Sequence, residues 1–430
     1  MKKPLIMSLA YIFLTYFILY TYFVGFNNTV IFLPQPRFTS DSRLEEVIAL
    51  IHTRPKLHNY TPATMTLYDL SQILWAAQGI TDPVLMFRAS PSAGALYPIE
   101  IFIFIDEGAI QGLDAGIYHF DPKTHSIKLV RLGNFISKLE LSVYNFRNCR
   151  VVLTINAVYE RTARKYGLRA TRYVHLEVGH IAQNVHLQAL NLNLTPIFTL
   201  TFNKSLVKEL TGLGEPLMAI TFLKREFEPC AIFPSYVEVN EMSVEEVIVR
   251  RRSVRKYSEG NVTLNQLLQL LWASTHVNIG VQLASSINSS CDVSSIIYVA
   301  VGNIIGLNQG VYRYDPKTSE LLLISREDVR GSLYEACYAV GEYTSEWVKE
   351  GNACIIVAAQ IFGNKDLLFI SMVESGAVAQ NIHLQAVALK LGSVTVGGFD
   401  DEGIAKAVGL PAGYMPLHVI PIGPKPEIGG

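Results

Sequence analysis

The sequence has little charge of either sign and few cysteines for its length. Only 17% of the 430 residues are charged, and the formal net charge is −1. A nucleic-acid-binding protein needs a basic face, so this balance argues against nucleic acid as a partner. The five cysteines are far apart and form no C-x-x-C pair, which argues against a disulfide framework or a zinc site. We expect all of them to be buried thiols: Cys149, Cys230, Cys291, Cys337 and Cys354.

One long apolar segment stands at the start of the chain. Leu5–Phe26 carries no charge and follows Lys2 and Lys3. About 20 apolar residues suffice for a membrane-spanning helix. A cleaved signal peptide has a shorter apolar region and a small-residue cleavage site, which we do not find. The segment predicts a single-pass anchor over residues 1–27, with the N-terminus cytoplasmic, and a proline-marked linker over 28–40.

The rest of the chain is a tandem duplication of one sequence. "TLYDLSQILWAAQGI" from Thr66 matches "TLNQLLQLLWASTHV" from Thr263, which is 197 residues later. "GIYHFDPKT" matches "GVYRYDPKT", and "AQNVHLQALNL" matches "AQNIHLQAVAL". This period is far longer than the roughly 20–50 residues of solenoid repeats, so each copy is a whole domain. We place the repeats at residues 41–228 and 240–427.

Within each copy, the patterns alternate between helix and strand. Thr66 and Thr263 are candidate helix N-caps, each followed by a leucine-rich helical pattern. "IEIFIFI", "CRVVLTINAV" and "ACIIVAAQI" are typical of buried strands. The expected fold class is α+β, a mostly antiparallel sheet covered by helices.

The matching "AQN" helices carry polar residues at equal positions in the two copies. Those residues are Glu177, Gln183, Asn184, Glu374, Gln380 and Asn381. A catalytic role is open, but we favour hydrogen bonding where the two helices pack across a pseudo-twofold axis. His175, His180 and His186 are spaced by five and six residues, which does not place them on one helix face. We therefore expect no metal site.

"RRRSVRKY" (Arg250–Tyr257) stands before the capped helix of the second copy. Its forked donors and hydroxyl suit a phosphate dianion. Taken alone the pattern is weak, because a solvated basic turn or a membrane-surface patch looks the same.

Five segments together carry a family resemblance: "RRSVRKYSEGNVTLNQLLQLLWA", "RASPSAGALYPIEIFI", "GIYHFDP", "RKYGLRATRYVHLEVGHIAQNVHLQA" and "VGGFDDEGIAKAVGL". They resemble the nitroreductase superfamily and, within it, the SagB-type dehydrogenases, FMN enzymes related to those that oxidise thiazolines and oxazolines in modified peptides. The resemblance covers Asp41–Pro426 as two copies. It implies a nitroreductase-like fold in each repeat and FMN at an interface that relatives form as homodimers.

The resemblance also implies site residues. One subunit's set would come from the second copy: Arg251 on the ribityl phosphate, Ser253, Arg255 near the pyrimidine edge, Gly397 and Gly398 beneath the ring, and Lys425 as a late phosphate partner. The other subunit's set would come from the first copy. It comprises a loop of small residues, Pro91, Ser92, Ala93 and Gly94, and a lid helix.

The two copies have lost complementary motifs. The first has "RPKLH" in place of "RRSVR" and "FTLTF" in place of "TVGGF". The second has "SINSSCDV" in place of "PSAGALYP" and "IFGNKDLLFI" in place of "RKYGLRATRY". Each copy thus retains what one subunit of a homodimer would contribute. This predicts a monomeric pseudo-dimer with one complete FMN site.

Lys165 and Tyr166 are the catalytic candidates, because azoline dehydrogenases of this family carry a Lys-Tyr pair on the lid helix. Either residue could exchange a proton during dehydrogenation. It is equally open that Lys165 is solvated and that Tyr166 only packs over the ring. Arg169 and Arg172 either bind an anionic substrate or cap the lid surface.

The predicted function is an FMN-dependent oxidoreductase that acts on a small-molecule or peptide substrate, with NAD(P)H or another electron partner. A non-catalytic flavin-binding scaffold, or a partner subunit of a modification complex, is the alternative. A reductase of the membrane-anchored deiodinase type is a third possibility, although its substrate clamp has no recognisable counterpart here.

Overall fold

The computed structural model describes residues 29–38, 42–51, 63–141, 149–224, 233–338 and 346–426. The predicted anchor over residues 1–27 and Cys230 lie outside these ranges. Within them, no helix is long and apolar enough to cross a membrane. The predicted single-pass membrane localisation is corrected on this finding, because no described helix supplies a membrane span.

The first repeat forms an antiparallel sheet with helices packed on it. Its strands are β1 (Val30–Phe32), β2 (Ile80–Asp82), β3 (Phe87–Arg88), β4 (Ile99–Ile105), β5 (Gly116–Asp121), β6 (Ser126–Leu132), β7 (Val151–Ala157), β8 (Leu194–Thr199) and β9 (Glu215–Lys224). Its helices are α1 (Leu44–Leu50), α2 (Leu67–Gln78), α3 (Tyr159–Tyr166), α4 (Ala170–Asn191) and α5 (Lys204–Thr211). The sheet order is β1-β6-β5-β4-β7-β9-β8, with every pair antiparallel.

The second repeat has the same topology. Its strands are β10 (Val262–Thr263), β11 (Ile296–Val301), β12 (Ile304–Ile305), β13 (Gly310–Asp315), β14 (Glu320–Ser325), β15 (Ala353–Gln360), β16 (Leu391–Ser393) and β17 (Tyr414–Pro424). Its helices are α6 (Val244–Arg250), α7 (Leu264–Thr275), α8 (Ile279–Ser286), α9 (Arg330–Tyr338), α10 (Trp347–Glu350), α11 (Lys365–Ala388) and α12 (Asp401–Val408). The sheet order β14-β13-β11-β15-β17-β16 repeats that of β6 to β8. The predicted α+β class and duplication are confirmed, while the predicted repeat limits remain predictions.

Local sequence signals explain how these elements begin. Thr66 and Thr263 cap α2 and α7 with reciprocal capping boxes to Asp69 and Gln266. In each box the side chains satisfy backbone donors that the first turn leaves free. The apolar residues 101–105 of β4 are buried on both faces of the sheet, which is where a strand of this composition is stable.

The repeats pack together through their longest helices, α4 and α11. Gly179 of α4 lies against Val373 and Gly376 of α11, and a Cβ on Gly179 would overlap the Val373 carbonyl oxygen. A Cβ on Gly376 would overlap the Leu176 carbonyl oxygen in the same way. The close helix contact therefore requires glycine in both copies. A single apolar core continues from the first sheet to the second around these helices.

The amides on these helices form the reciprocal bonds expected of a pseudo-twofold axis. Gln183 donates to Asn381 Oδ1 at 2.7 Å, and Gln380 donates to Asn184 Oδ1 at 2.7 Å. Asn184 and Asn381 donate in turn to backbone carbonyls of α2 and α7. The structural interpretation is confirmed for these four residues.

Buried carboxylates tie the repeats together at the helix ends. Glu45 of the first repeat accepts a hydrogen bond from Gln385 of the second at 2.7 Å. Its counterpart Glu245 accepts from Gln188 of the first repeat at 2.8 Å. Each repeat thus satisfies a buried charge of the other, which binds the halves into one unit.

Candidate active site

A cavity of about 220 Å³ lies between the repeats. The first repeat contributes the loop after β3, the end of α3 and one face of α4. The second contributes the segment after α6, α10, the loop after β16 and one residue of β17. The lining residues are Pro91, Ser92, Ala93, Gly94, Tyr166, Tyr173, Leu176, Glu177 and His180 from the first repeat, and Ser253, Arg255, Trp347, Val394, Thr395, Val396, Gly397, Gly398 and His418 from the second.

The loop from the first repeat approaches the cavity with small side chains. Gly94 has φ +62°, a conformation that L side chains rarely adopt. A Cβ at this position would lie 2.7 Å from Tyr166 Oη and 3.2 Å from Lys165 Nζ. Ser92 Oγ accepts a hydrogen bond from the Tyr97 amide at 2.9 Å, which fixes the turn. A larger residue at Gly94 would therefore strain the turn and push aside the side-chain ends of Tyr166 and Lys165.

The loop after β16 presents backbone donors to the cavity. The Val396 amide pairs with Val419 of β17. Among the described residues, no acceptor bonds the amides of Thr395 or Gly397. The ring of Tyr173 lies beside Gly397 and Gly398, where added Cβ atoms would be 3.2 and 3.1 Å away. The loop therefore brings two amides without a described acceptor to the cavity wall, and the Tyr173 ring packs against its glycines.

The arginine segment stands at one end of the cavity. Arg251 is buried and donates to the Ala89 and Arg88 carbonyl oxygens at 3.2 and 3.3 Å. Burial lowers the pKa of this guanidinium to about 10. Arg255 is exposed, and its guanidinium carbon lies 5.8 Å from the Trp347 ring centroid. Arg251, Arg252, Ser253 and Arg255 also line an adjoining cavity of about 290 Å³, which makes this end cationic.

The remaining predicted residues lie at different distances from the cavity. Tyr166 lines it, and Lys165 Nζ lies 5.1 Å from the Tyr166 ring centroid. Lys425 is not among the lining residues of either cavity, and its carbonyl oxygen accepts from Ser258. Arg172 is engaged by Asp401 at 2.8 Å and by the Pro416 carbonyl. Arg172 was expected either to bind an anionic substrate or to cap the lid surface, and these contacts favour the structural role.

Several cavity residues were not singled out from the sequence as cavity residues: Tyr173, Glu177, His180, Trp347 and His418. Glu177 was assigned to the helix seam together with Gln183 and Asn184. The structure instead places it on the cavity wall. The sequence could have indicated the two histidines, because neither His180 nor His418 has a histidine at the matching position of the other copy.

Glu177 has an unusual electrostatic environment. It is 3% exposed, and burial raises the pKa of its carboxyl to about 7. Hydrogen bonds from Ser92 and Gln78 and the charge of Arg88 oppose this rise in pKa. The cavity therefore contains a carboxyl group that can hold or release a proton near neutral pH.

The position related by the repeat symmetry is filled by protein. Gln282 and Ser286 of α8 accept hydrogen bonds from the amides of Phe198 and Leu200, at 3.1 and 3.0 Å. Phe198 and Leu200 match Thr395 and Gly397, which line the cavity. Glu374, the match of Glu177, accepts from the Gly280 amide of α8 at 2.7 Å. The helix α8 thus bonds the two amides whose counterparts, those of Thr395 and Gly397, have no acceptor among the described residues.

The thiols in the described residues take no part in the cavity. Cys149, Cys337 and Cys354 are buried, as expected, whereas Cys291 is exposed. The expectation of a buried thiol is wrong for Cys291, because it lies in the segment after α8 that turns outward to the surface. No cluster of metal-ligating residues occurs in the described ranges.

A family model for the nitroreductase family matches residues 56–222 and 248–424, once in each repeat. The chain belongs to the nitroreductase family. The chain is 36% identical to "Putative nitroreductase MJ1384" of Methanocaldococcus jannaschii over 189 residues, which is 43% of this chain and 92% of that protein. The resemblance to the superfamily is confirmed.

Two further relatives of this nitroreductase-family chain are peptide-processing proteins by name. The trifolitoxin-processing protein TfxB of Rhizobium leguminosarum bv. trifolii is 25% identical over 174 residues, 35% of this chain and 44% of its own length. The microcin B17-processing protein McbC of Escherichia coli is 26% identical over 162 residues, 36% of this chain and 59% of its own length.

A solved structure from Anabaena variabilis shares the fold of both repeats. It matches with a TM-score of 0.70 at 20% identity and covers 91% of this chain and 93% of its own. Two nitroreductase folds in one chain therefore form a known architecture.

Proposed function

We propose that this nitroreductase-family chain is an FMN-dependent oxidoreductase with one flavin site that both repeats build. One observation carries the proposal. The motifs that relatives place on opposite subunits line a single cavity here, while α8 fills the symmetry-related position.

The cavity residues fit the chemistry of FMN. Gly397 and Gly398 line the cavity without side chains, so a flat ring can approach their backbone. The amides of Thr395 and Gly397 suit the acceptors at a flavin's polar edge, and Arg255 supplies a positive charge. Ser253 and Arg255 border the cationic cavity that suits a phosphate. Arg251 binds backbone carbonyls of the first repeat, so we assign it to holding the phosphate end in place.

FMN, when bound, supplies the two-electron chemistry of the reaction. The chain's own residues then hold the substrate and move its proton. Tyr166 lines the cavity, and Lys165 Nζ lies 5.1 Å from the centroid of its ring. Either group can take a proton from a substrate in the cavity, and Glu177 is a second proton-holding group on the same wall.

The substrate class that we propose is an azoline-containing peptide, whose two-electron oxidation requires an electron-accepting partner; NAD(P)H is the electron donor if the chain acts as a reductase instead. The SagB-type resemblance favours it, as do the names of the two peptide-processing relatives. The exposed residues Arg164, Lys165 and Arg169 flank Tyr166 of the cavity wall in sequence, which is compatible with a substrate that extends beyond the cavity.

Flavin binding to the purified chain tests the cofactor assignment. We expect bound flavin absorbance after addition of FMN. Arg255→Ala in the second repeat and Gly94→Val in the first should each abolish the same single flavin. Arg313→Ala is the matched control, because it removes an exposed arginine of the second repeat outside this cavity. Absence of flavin in the wild type, or half of the flavin surviving in either variant, would contradict the proposal.

Turnover tests the enzymatic part separately. We expect anaerobic reduction of the bound flavin by NADH or NADPH, or oxidation of a thiazoline or oxazoline peptide. A bound flavin that neither donor nor peptide changes would favour a flavin-binding scaffold instead.

A further inference from the structure

Two histidines form part of the cavity wall, one from each repeat. His180 lies on α4 and His418 on β17, and they are 4% and 2% exposed. Their ring centroids are 5.8 Å apart, with the rings nearly perpendicular at 81°. The two imidazoles are therefore adjacent beneath one ligand space.

Most of their hydrogen-bonding capacity is unused within the protein. His180 Nδ1 donates to the Leu176 carbonyl oxygen at 2.7 Å, which leaves Nε2 as an acceptor. Among the described residues, nothing bonds His180 Nε2, His418 Nδ1 or His418 Nε2. Burial lowers the pKa of His180 to about 4 and also lowers that of His418, so both rings are neutral at pH 7. Buried polar groups left in this state destabilise a fold.

The duplication shows that the fold does not need these histidines. His180 corresponds to Ala377, 197 residues later on α11. His418 corresponds to Met218, since His418 pairs with Val357 on β15 as Met218 pairs with Ile155 on β7. By contrast, His186 and His383 occur in both copies. His180 and His418 thus each occur in one copy alone, in the half-site that contributes to the cavity.

We infer that His180 and His418 hydrogen-bond uncharged polar atoms of the ligand in this cavity. The inference rests on the proposed function, in which that ligand is FMN. His180 Nε2 requires an N–H or O–H donor, and neutral His418 offers one donor and one acceptor. A flavin supplies both types in its uncharged part. The pair therefore binds the ring or ribityl portion and not the phosphate.

The test uses replacements that the other repeat already contains. His180→Ala and His418→Met are made in the full chain, with His276→Gln as the control because His276 lies at the end of α7, outside the cavity. Dissociation constants for FMN and riboflavin come from flavin fluorescence quenching. We expect each cavity variant to weaken both ligands about tenfold, and by the same factor, since riboflavin lacks only the phosphate. His418→Asn, which keeps a donor and an acceptor, should recover part of the loss.

The melting temperature of the flavin-free protein is a second readout. It should rise if the histidines serve the ligand and fall if they serve the fold. We expect its melting temperature to rise in His180→Ala and His418→Met, because unpartnered buried nitrogens are removed. A fall in melting temperature, or unchanged flavin affinity, would show that the histidines serve the fold and would overturn the inference. An effect on FMN alone would also overturn it. If the wild type binds neither flavin, the proposed function itself fails.

Discussion

Tyr166 and Lys165 differ in how closely they approach the cavity. Tyr166 lines the cavity, whereas Lys165 is exposed and borders Gly94. We expect Tyr166→Phe to lower turnover about 10²-fold or more, because only the proton-carrying hydroxyl is removed. The FMN dissociation constant should change less than twofold. Steady-state kinetics and flavin titration measure the two effects.

Lys165→Met provides the matched comparison. A loss of turnover in this variant alone would identify the lysine as the base and leave the tyrosine as a packing residue. Full activity in both variants would contradict the catalytic assignment of the pair.

Glu177 predicts a pH dependence of stability. Its carboxyl has an ordinary pKa of 4.5 and a pKa of about 7 in the folded chain. The folded state prefers the protonated form, so its stability falls as pH rises through 7. Glu177→Gln cannot ionise. We expect the free energy of unfolding of the variant to exceed that of the wild type by about 1–3 kcal/mol at pH 8 and by less at pH 5.

Urea unfolding at the two pH values measures this difference. Glu374, whose pKa is also raised to about 7, is present in both proteins and cancels. A variant that is less stable than the wild type at pH 8 would show that ionised Glu177 makes contacts worth more than its burial costs.

Single residues also show where reading the sequence succeeds. The caps at Thr66 and Thr263 were predictable, because a capping box depends on residues three positions apart. The place of Glu177 on the cavity wall was not predictable, because its neighbour Ser92 is 85 positions away in sequence and only the folded chain brings the two residues together. His418 shows the same limit, since β17 and α4 come from different repeats.

At the scale of elements, the crossing of α4 and α11 is the tightest contact. Gly179→Ala would place a methyl group on the Val373 carbonyl, so the helices must separate. We expect the free energy of unfolding to fall by about 1–3 kcal/mol. Thermal or denaturant unfolding measures this change.

Gly331→Ala is the control for helix propensity. It lies in α9, where an added Cβ meets nothing within 4 Å, and should stabilise slightly or have no effect. Equal effects of the two substitutions would contradict the close helix contact.

The element α8 marks the limit of prediction at this scale. The sequence showed that the second copy lacks the small-residue loop, but not that a helix, α8, precedes the segment that stands in its place. That Gln282 and Ser286 would bond the amides of β8 and the loop after it depends on tertiary contacts between the repeats. The amphipathic and β-branched patterns predicted the long helices and central strands, because those elements are set by local periodicity.

At the scale of the whole molecule, the repeats share one core and exchange hydrogen bonds through buried groups. We therefore expect the described repeats to unfold in one cooperative transition. Differential scanning calorimetry should give equal calorimetric and van't Hoff enthalpies. Two resolved transitions would show that each repeat is stable by itself.

The central claim is that both repeats together make one flavin site. The most direct test is the number of FMN molecules that bind per chain, measured by equilibrium titration of the purified full-length protein with protein concentration fixed by amino-acid analysis. The account predicts a value of one, which falls to zero in both Arg255→Ala and Gly94→Val. A value of two, or a value of one that survives either substitution, would contradict a single composite site.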